Sequence, residues 1–197
     1  MKALDLFSGT HSFAKCCEDV GIEVITLDID GRSDITCDIL EWDYTQYPKD
    51  TFQVIFASPP CDKYSILQYI HKTKEQVEQG WLEADKLVLK TLEIIDYFNP
   101  ELWFIENPNR GKLKTREFMK PYKYYVVDYC KYADWGYRKR TRIWTNKRGF
   151  KPLRCKKDCN SMDINNPHYH ETDVSWLSGS IDKRHRIPPE LIYSLLL

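Results

Sequence analysis

The chain has 197 residues, of which 42% are hydrophobic and 29% charged, and its 29 basic residues equal its 29 acidic residues. This composition predicts one globular domain, or one domain with a small appendage, and the zero net charge excludes a bulk attraction to nucleic acid. No apolar run approaches the ~18 residues that a membrane helix needs. The start MKALDLFSG lacks the features of a secretory signal, so we expect an intracellular protein.

Apolar runs alternate with helical patterns along the chain. Helical spacing is found at 12–20, with Gly21 as a stop, and from Val77 to about Asn99. Strands are predicted at 2–7, 23–29, 52–58, 102–106, 124–129 and 141–146. This alternation predicts an α/β fold, in which a mainly parallel sheet carries helices on both faces and binds ligands beyond the carboxyl ends of its strands.

The ends of the first strands carry residues suited to a small ligand. Gly9 follows the first strand in DLFSGTH, where a tight turn lets a ligand approach the backbone. Asp28, Asp30 and Asp38 follow the second strand, where an acid is well placed for ribose hydroxyls, although solvated loop acids are the ordinary alternative. Together these residues predict an adenosine-type cofactor without a phosphate loop.

A cysteine and a glutamate end two later strands. In SPPCDKYS the rigid Pro59-Pro60 pair precedes Cys61, and FIENP places Glu106 and Asn107 at the end of another apolar run. A thiol and a carboxyl group at neighbouring strand ends could supply a nucleophile and a proton donor. The residues alone leave two alternatives open, a buried inert thiol and a glutamate that caps or pairs with a cation.

Taken in order, these segments resemble the cytosine-5 DNA methyltransferases. DLFSGTHS is similar to the first motif of that family, SPPCDKYS to its Pro-Cys loop and FIENP to its Glu-Asn motif. YRKRTRIW is similar to its Gln-x-Arg-x-Arg strand, and IPPELIYSLL to its final motif. The resemblance is closest to compact virus- or phage-encoded members. It implies a Rossmann-like S-adenosylmethionine-dependent methyltransferase fold.

The resemblance also implies roles for individual residues. Cys61 would attack C6 of cytosine, and Glu106 would bind the N3 and N4 edge of the base and donate a proton. Arg142 would contact the base carbonyl, while Arg140 would support the pocket and favour the Cys61 thiolate. S-adenosylmethionine would donate its methyl group to C5 of cytosine in DNA, and it would be bound by Phe7, Gly9, Thr10, Asp28, Ile29, Asp38, Ile39 and Pro60.

The chain has no room for the separate target-recognition domain of this family. Only about forty residues separate Trp144 from Ile187. We therefore predict a catalytic core at 1–149, a small insert at 150–180 and a C-terminal segment at 181–197 that returns to the core. An enzyme that acts on RNA or free nucleotide, and a catalytically silent DNA-binding relative, are the two alternatives.

A basic run is the predicted contact with DNA. Residues 138–157 contain ten basic side chains and no acidic one. A phosphate-contacting surface and a solvated face are about equally good interpretations of such a run. If the run binds DNA, Lys147, Arg148 and Lys151 should supply phosphate contacts with little base selectivity.

Cysteine usage indicates reduced thiols, because the seven cysteines are an odd number in a chain large enough to fold without disulfides. Cys155, Cys159, His168 and His170 could bind zinc tetrahedrally in the small insert. Their Cys-x3-Cys and His-x-His spacings are not those of a common zinc finger. The favoured prediction is therefore surface residues without a metal.

Overall fold

A seven-stranded sheet forms the centre of the protein. The computed structural model describes residues 1–172 and 181–197, with only the backbone of Ile181. Its strands are β1 (Lys2–Leu6), β2 (Glu23–Asp28), β3 (Ile35–Thr36), β4 (Val54–Ala57), β5 (Leu102–Pro108), β6 (Tyr124–Asp128) and β7 (Arg140–Thr145). The order is β3-β2-β1-β4-β5-β7-β6, and β7 alone runs antiparallel to its neighbours within this sheet. The predicted mainly parallel sheet is confirmed.

Helices cover both faces of the sheet, as predicted. They are α1 (Ser12–Asp19), α2 (Lys74–Phe98), α3 (Ile181–His185) and α4 (Pro189–Leu196). Side chains alternate along β4, so that Phe56 packs in one core cluster with α1 and α4, while Ile55 packs in the other with α2. Both clusters are closed to solvent and hold the strand ends in fixed positions.

Among the described residues, no helix is both long and apolar enough to span a membrane.

Local hydrogen bonds explain where the structure departs from the predicted elements. Helix α2 begins at Lys74 rather than Val77, because Thr73 and Gln76 form a capping box. It ends at Phe98, where Asn99 adopts a left-handed conformation with φ 44°. Strand β3 was not predicted, since its two residues are too short to produce an apolar pattern and are ordered by pairing with β2.

The direction of β7 divides the basic run between two edges of the sheet. Arg140 pairs with the end of β6, whereas Thr145 pairs with Phe104 near the start of β5. Residues 147–151 therefore follow at the opposite edge, after a strand that rises about 17 Å. There the Lys147 Nζ donates to the Leu195 carbonyl oxygen at 2.8 Å. Lys147, Arg148 and Lys151 thus lie at the edge opposite the strand ends that carry Cys61 and Glu106, and their phosphate contacts stay a prediction.

The predicted insert returns to the first edge. The backbone N–H of Asp128 donates to the Leu153 carbonyl oxygen at 3.1 Å, and the N–H of Cys155 donates to Asp128 Oδ2 at 2.9 Å. The described part of the insert, 150–172, contains an isolated bridge between Met162 and His170 and no regular helix or strand. Residues 173–180 of the predicted insert lie outside the described residues, so the predicted domain limits stay predictions.

Candidate active site

The carboxyl ends of β1, β2, β4 and β5 surround one cavity of about 340 Å³. This volume lies in the range of small-molecule sites. Parallel pairing of Leu6 with Ala57, and of Ala57 with Ile105, brings the residues after these strands to the same edge. The cavity is lined by ten of the residues predicted from the sequence, namely Phe7, Gly9, Thr10, Asp28, Ile29, Asp38, Ile39, Pro60, Cys61 and Glu106.

The turn between β1 and α1 is held by Asp28. Phe7 and His11 adopt positive φ values of 59° and 55°, and Gly9 lies between them with φ 36°. Such backbone conformations cost roughly 1–3 kcal/mol at each residue other than glycine and are typical of ligand sites. The N–H of Gly9 donates to Asp28 Oδ2 at 2.9 Å, and the N–H of Ile29 donates to Asp28 Oδ1 at 2.7 Å. The Asp28 carboxylate therefore fixes the turn and keeps further lone pairs for a ligand hydroxyl.

Asp5 is a buried acid at the cavity that sequence analysis missed. Its side chain lies in the middle of β1, and the residue is 2% exposed. Burial raises the pKa of this carboxyl group well above its usual range, which favours the neutral form. Asp5 Oδ2 has no hydrogen-bond partner among the described residues. The signal that could have found it is an acid inside the apolar run KALDLF.

The loop that carries Cys61 is fixed to both neighbouring strands. Asn107 Nδ2 donates to the Pro59 carbonyl oxygen at 2.9 Å, in a buried contact with the end of β5. Ser58 Oγ donates to the Phe7 carbonyl oxygen at 3.1 Å, which ties the same loop to β1. Because Pro59 and Pro60 also have restricted φ angles, the thiol of Cys61 is held facing the cavity.

A buried polar cluster anchors the chain beyond Cys61. The hydroxyl of Tyr64, a residue with 0% exposure, donates to Asp85 Oδ1 of α2 at 2.8 Å. Arg116 Nε donates to both oxygens of the same carboxylate, at 3.1 and 3.0 Å. Sequence analysis missed this cluster. Its signal is an acid beside Ala84 on the apolar face of a long helix.

Lys139 is the cation between the two predicted catalytic groups. Burial raises the pKa of the Cys61 thiol; the charge of Lys139 lowers it and that of Glu106 raises it. Glu106 is buried, its Oε1 accepts a hydrogen bond from the Tyr129 hydroxyl at 2.8 Å, and the same oxygen lies 3.7 Å from Lys139 Nζ. Sequence analysis did not select Lys139, although it lines the cavity, as does His185.

Arg140 does not line the cavity, and its predicted support of the pocket and of the Cys61 thiolate stays a prediction. Arg140 Nε and Nη2 donate to the two oxygens of the buried Asp128 carboxylate at 2.8 and 2.9 Å. Successive side chains of an extended chain point to opposite faces, so Lys139 faces the cavity and Arg140 does not.

Arg142 lies outside the cavity but at the same edge. Its guanidinium group lies 3.8 Å over the ring of Tyr124, and its Nε donates to Asn109 Oδ1 at 3.2 Å. Its contact with a base stays a prediction.

The structure brings together three of the four residues considered as zinc ligands. Cys155, Cys159 and His170 form a group with Cys130, a residue that sequence analysis had not considered as a ligand. His168 is exposed and is not part of this group.

The sheet order is that of the Rossmann-like fold found in methyltransferases. An Entamoeba histolytica methyltransferase, EhMeth, superposes with a TM-score of 0.56 at 16% identity, over 92% of this chain and 61% of that chain. An E. coli prophage protein described as a DNA modification methyltransferase superposes with a TM-score of 0.50 at 14% identity, over 74% of this chain and 46% of that chain. The chain thus spans less than two thirds of either structure, and these similarities establish the fold.

A viral relative establishes the family. No protein-family model matches the chain. A protein of frog virus 3 (isolate Goorha) named "Probable DNA (cytosine-5)-methyltransferase" is 41% identical over 215 aligned residues, which cover all of this chain and 99% of the relative. The chain belongs to the DNA (cytosine-5)-methyltransferase family, and the resemblance of its motifs is confirmed.

Replacement of Lys139 should change the reactivity of Cys61. In Lys139→Ala the pKa of the thiol should rise further, because the cation that lowers it is gone. Since the thiolate is the reactive form, alkylation of Cys61 by iodoacetamide should then need a higher pH than in the wild type. Mass spectrometry of the Cys61 peptide across a pH series measures this. Lys151→Ala, at the other edge, should leave the profile unchanged; an unchanged profile in Lys139→Ala would contradict the assignment.

Asp85→Ala should destabilise the protein by about 2–4 kcal/mol, because it leaves the buried Tyr64 hydroxyl and the Arg116 guanidinium group without their partner. Urea denaturation measures the free energy of unfolding. Asp96→Ala is the matched control, an exposed acid on the same helix whose loss should cost less than about 0.5 kcal/mol. Equal costs for the two variants would show that the buried cluster contributes nothing.

Proposed function

We propose that the protein transfers a methyl group from S-adenosylmethionine to C5 of cytosine in DNA through a covalent Cys61 adduct. The observation that carries the proposal is the single cavity in which Cys61 and Glu106 meet the predicted cofactor residues. Membership of the DNA (cytosine-5)-methyltransferase family supports it.

The cavity fits S-adenosylmethionine. Phe7 offers an aromatic face for the adenine, and Asp28 has free lone pairs for the ribose hydroxyls. Asp5 Oδ2, buried and without a partner among the described residues, is available to a polar group of the methionine part. When bound, this cofactor supplies an electrophilic methyl group on its sulfonium sulfur. The residues on the cytosine side of the cavity then act on the base.

The Cys61 thiolate would attack C6 of the target cytosine and form a carbon–sulfur bond. The electron pair of the C5–C6 double bond moves toward C5 and N3, so C5 becomes the nucleophile that accepts the methyl group. Loss of the C5 proton to a base and departure of the thiolate restore the aromatic ring. Lys139 assists because its charge favours the thiolate. A cytosine in a duplex must first be flipped out of the stack.

Glu106 would hold the base through its N3 and N4 edge. Tyr129 and Lys139 fix the Glu106 carboxyl group from one side, at Oε1. A proton carried by Glu106 would be donated to N3 as negative charge develops there, which stabilises the state formed after attack. Arg142, held by Asn109 and Tyr124, would approach the base carbonyl from the end of β5.

Basic side chains beyond the end of β5 are the revised candidates for phosphate contacts. Arg110 is exposed, and Lys112 is half-buried close by. Lys114 Nζ donates to the Asn109 carbonyl oxygen at 2.8 Å and Arg142 Nε donates to Asn109 Oδ1 at 3.2 Å, so both cations contact the same residue. Burial lowers the pKa of Lys114, and the charges of Arg142 and Lys112 lower it further. Cations that lie close together repel one another, and the phosphate groups of a nucleic acid would neutralise this repulsion. This cluster lies at the edge that carries Cys61.

Cys61→Ser should abolish methyl transfer while calorimetry shows retained binding of S-adenosylmethionine, because a hydroxyl is a far poorer nucleophile than a thiolate. Duplex DNA with 5-fluorocytosine should form a stable covalent complex with the wild type and none with Cys61→Ser. Glu106→Gln should lower turnover by a factor of about 10²–10⁴. Near-normal turnover by the serine variant would exclude the covalent mechanism, and an adduct formed only with RNA or free nucleotide would reassign the substrate.

The basic cluster should carry the affinity for DNA. The double variant Arg110→Ala/Lys112→Ala should weaken binding to all sequences about equally and reduce the slope of log K against log salt by about 2. The matched control is Arg148→Ala/Lys151→Ala, which removes two exposed cations at the opposite edge and should leave the slope unchanged. Fluorescence anisotropy over a salt series gives both values. A larger effect of the control pair would restore the original assignment of the basic run.

A further inference from the structure

A second group of reactive side chains lies apart from the cavity. Cys130 belongs to the turn after β6, and Cys155, Cys159 and His170 belong to the insert. Their Sγ and imidazole nitrogen atoms all lie within 4.8 Å of one another. Cys130 and Cys155 are buried, and none of the four lines the cavity that contains Cys61. Three thiols and one imidazole form a donor set that zinc prefers.

The distances match a tetrahedral metal site. Cys155 Sγ and Cys159 Sγ are 3.7 Å apart, and His170 Nε2 lies 3.5 and 3.3 Å from them. Zinc bonds of about 2.3 Å to sulfur and about 2.05 Å to nitrogen place two sulfur atoms about 3.8 Å apart at tetrahedral angles, and a sulfur and a nitrogen atom about 3.6 Å apart. A disulfide would instead need sulfur atoms about 2.05 Å apart. The separations between these three donor atoms are thus already close to the edge lengths of a zinc tetrahedron.

The backbone around Cys155 is shaped for a bound thiolate. The N–H of Lys157 donates to Cys155 Sγ at 3.3 Å, and Lys157 reaches this position with a positive φ of 69°. Asp158 Oδ1 accepts from the N–H of Lys156 at 2.9 Å and closes the turn between the two cysteines. Zinc with three thiolates and a neutral imidazole carries one net negative charge. Lys156 and Lys157 lie in the same turn and offset it.

We propose that Cys130, Cys155, Cys159 and His170 bind one structural zinc ion. Four protein ligands leave no open position for a substrate, which is the property of a structural rather than a catalytic zinc site. The described part of the insert has no regular helix or strand, so a metal would supply stability that its own packing does not. The proposal does not depend on the chemistry at Cys61.

The zinc ion would fasten the insert to the end of β6. Cys130 is the only one of the four ligands outside the insert. The next contacts lead toward the cavity: Asp128 accepts from the N–H of Cys155 and from Arg140, and Tyr129 donates to Glu106. Removal of the metal should therefore loosen the insert first and leave the sheet intact.

Metal analysis of the purified full-length chain tests the site. Wild-type protein expressed in zinc-supplemented medium should contain one zinc ion per chain, measured by inductively coupled plasma mass spectrometry. Cys155→Ser and Cys130→Ser should each weaken zinc binding by about 100-fold or more, measured by competition with a chelator. His168→Ala is the matched control, because it removes an exposed imidazole of the same insert that is not part of the group. It should retain the full zinc content.

Measurements on the wild type keep the test independent of variants that fail to fold. X-ray absorption should show three sulfur neighbours at about 2.3 Å and one nitrogen at about 2.0–2.1 Å. Removal of zinc by a chelator should lower the melting temperature, and added zinc should restore it. The proposal is overturned if the wild type neither retains zinc nor binds cobalt with the intense visible absorption of a tetrahedral thiolate site. A Cys155–Cys159 disulfide, seen as a mass lower by two hydrogens in metal-free native protein, would overturn it as well.

Discussion

The parallel register of β4 and β5 is the constraint on which the candidate active site depends. Because Ala57 pairs with Ile105, the Pro59-Pro60-Cys61 loop leaves the sheet beside Glu106 and Asn107. The bond from Asn107 Nδ2 to the Pro59 carbonyl oxygen then fixes the loop to β5 at 2.9 Å. A shift of one residue would turn every side chain of β5 to the opposite face. The thiol and the carboxyl group would no longer share a cavity.

Buried acids hold the edge of the sheet around this register. Asp128 and Asp85 have bidentate arginine partners, Arg140 and Arg116, and each acid also binds a group from a neighbouring segment. A buried charge is strongly unfavourable unless it is paired and hydrogen-bonded, so these contacts fix loop positions closely. Asp5 differs, since its Oδ2 has no partner among the described residues. A buried oxygen without a hydrogen-bond partner is normally unfavourable. Asp5 Oδ2 lies at the cavity, where a ligand or a water molecule can donate a hydrogen bond to it.

Local pattern was enough to predict most of the fold. The buried strands and the helix of 25 residues have strong apolar periodicity, and their positions were predicted within a few residues. The residues that follow β1, β2, β4 and β5 were found because the carboxyl ends of parallel strands share an edge. Strand direction was not predictable, because alternation is the same for parallel and antiparallel neighbours. For that reason the basic run was treated as one surface, although β7 carries its two ends to opposite edges.

The side chains that sequence analysis missed act through contacts between distant segments. Lys139 lies within YRKRTRIW, the segment in which the family resemblance pointed to the arginines. Because side chains alternate, Lys139 faces the cavity and its neighbour Arg140 pairs with Asp128 instead. Cys130 is 25 residues from Cys155, so no short spacing motif could join them. Hydrogen bonds between distant segments bring these cysteines together, among them those of Asp128 with the insert and the bond from the Leu153 N–H to the Tyr132 hydroxyl.

One turn after β6 connects the two proposed sites. Tyr129 and Cys130 are adjacent in this turn, and both are buried. Tyr129 donates to Glu106 in the active-site cavity, whereas Cys130 faces the group formed with Cys155, Cys159 and His170. Neighbouring residues of a tight turn cannot move independently, because they share its backbone dihedral angles. A metal ion that fixes Cys130 would therefore also restrict the Tyr129 hydroxyl and, through it, the orientation of the Glu106 carboxyl group. In this way a short insert can contribute to the position of the proposed catalytic glutamate without entering the cavity.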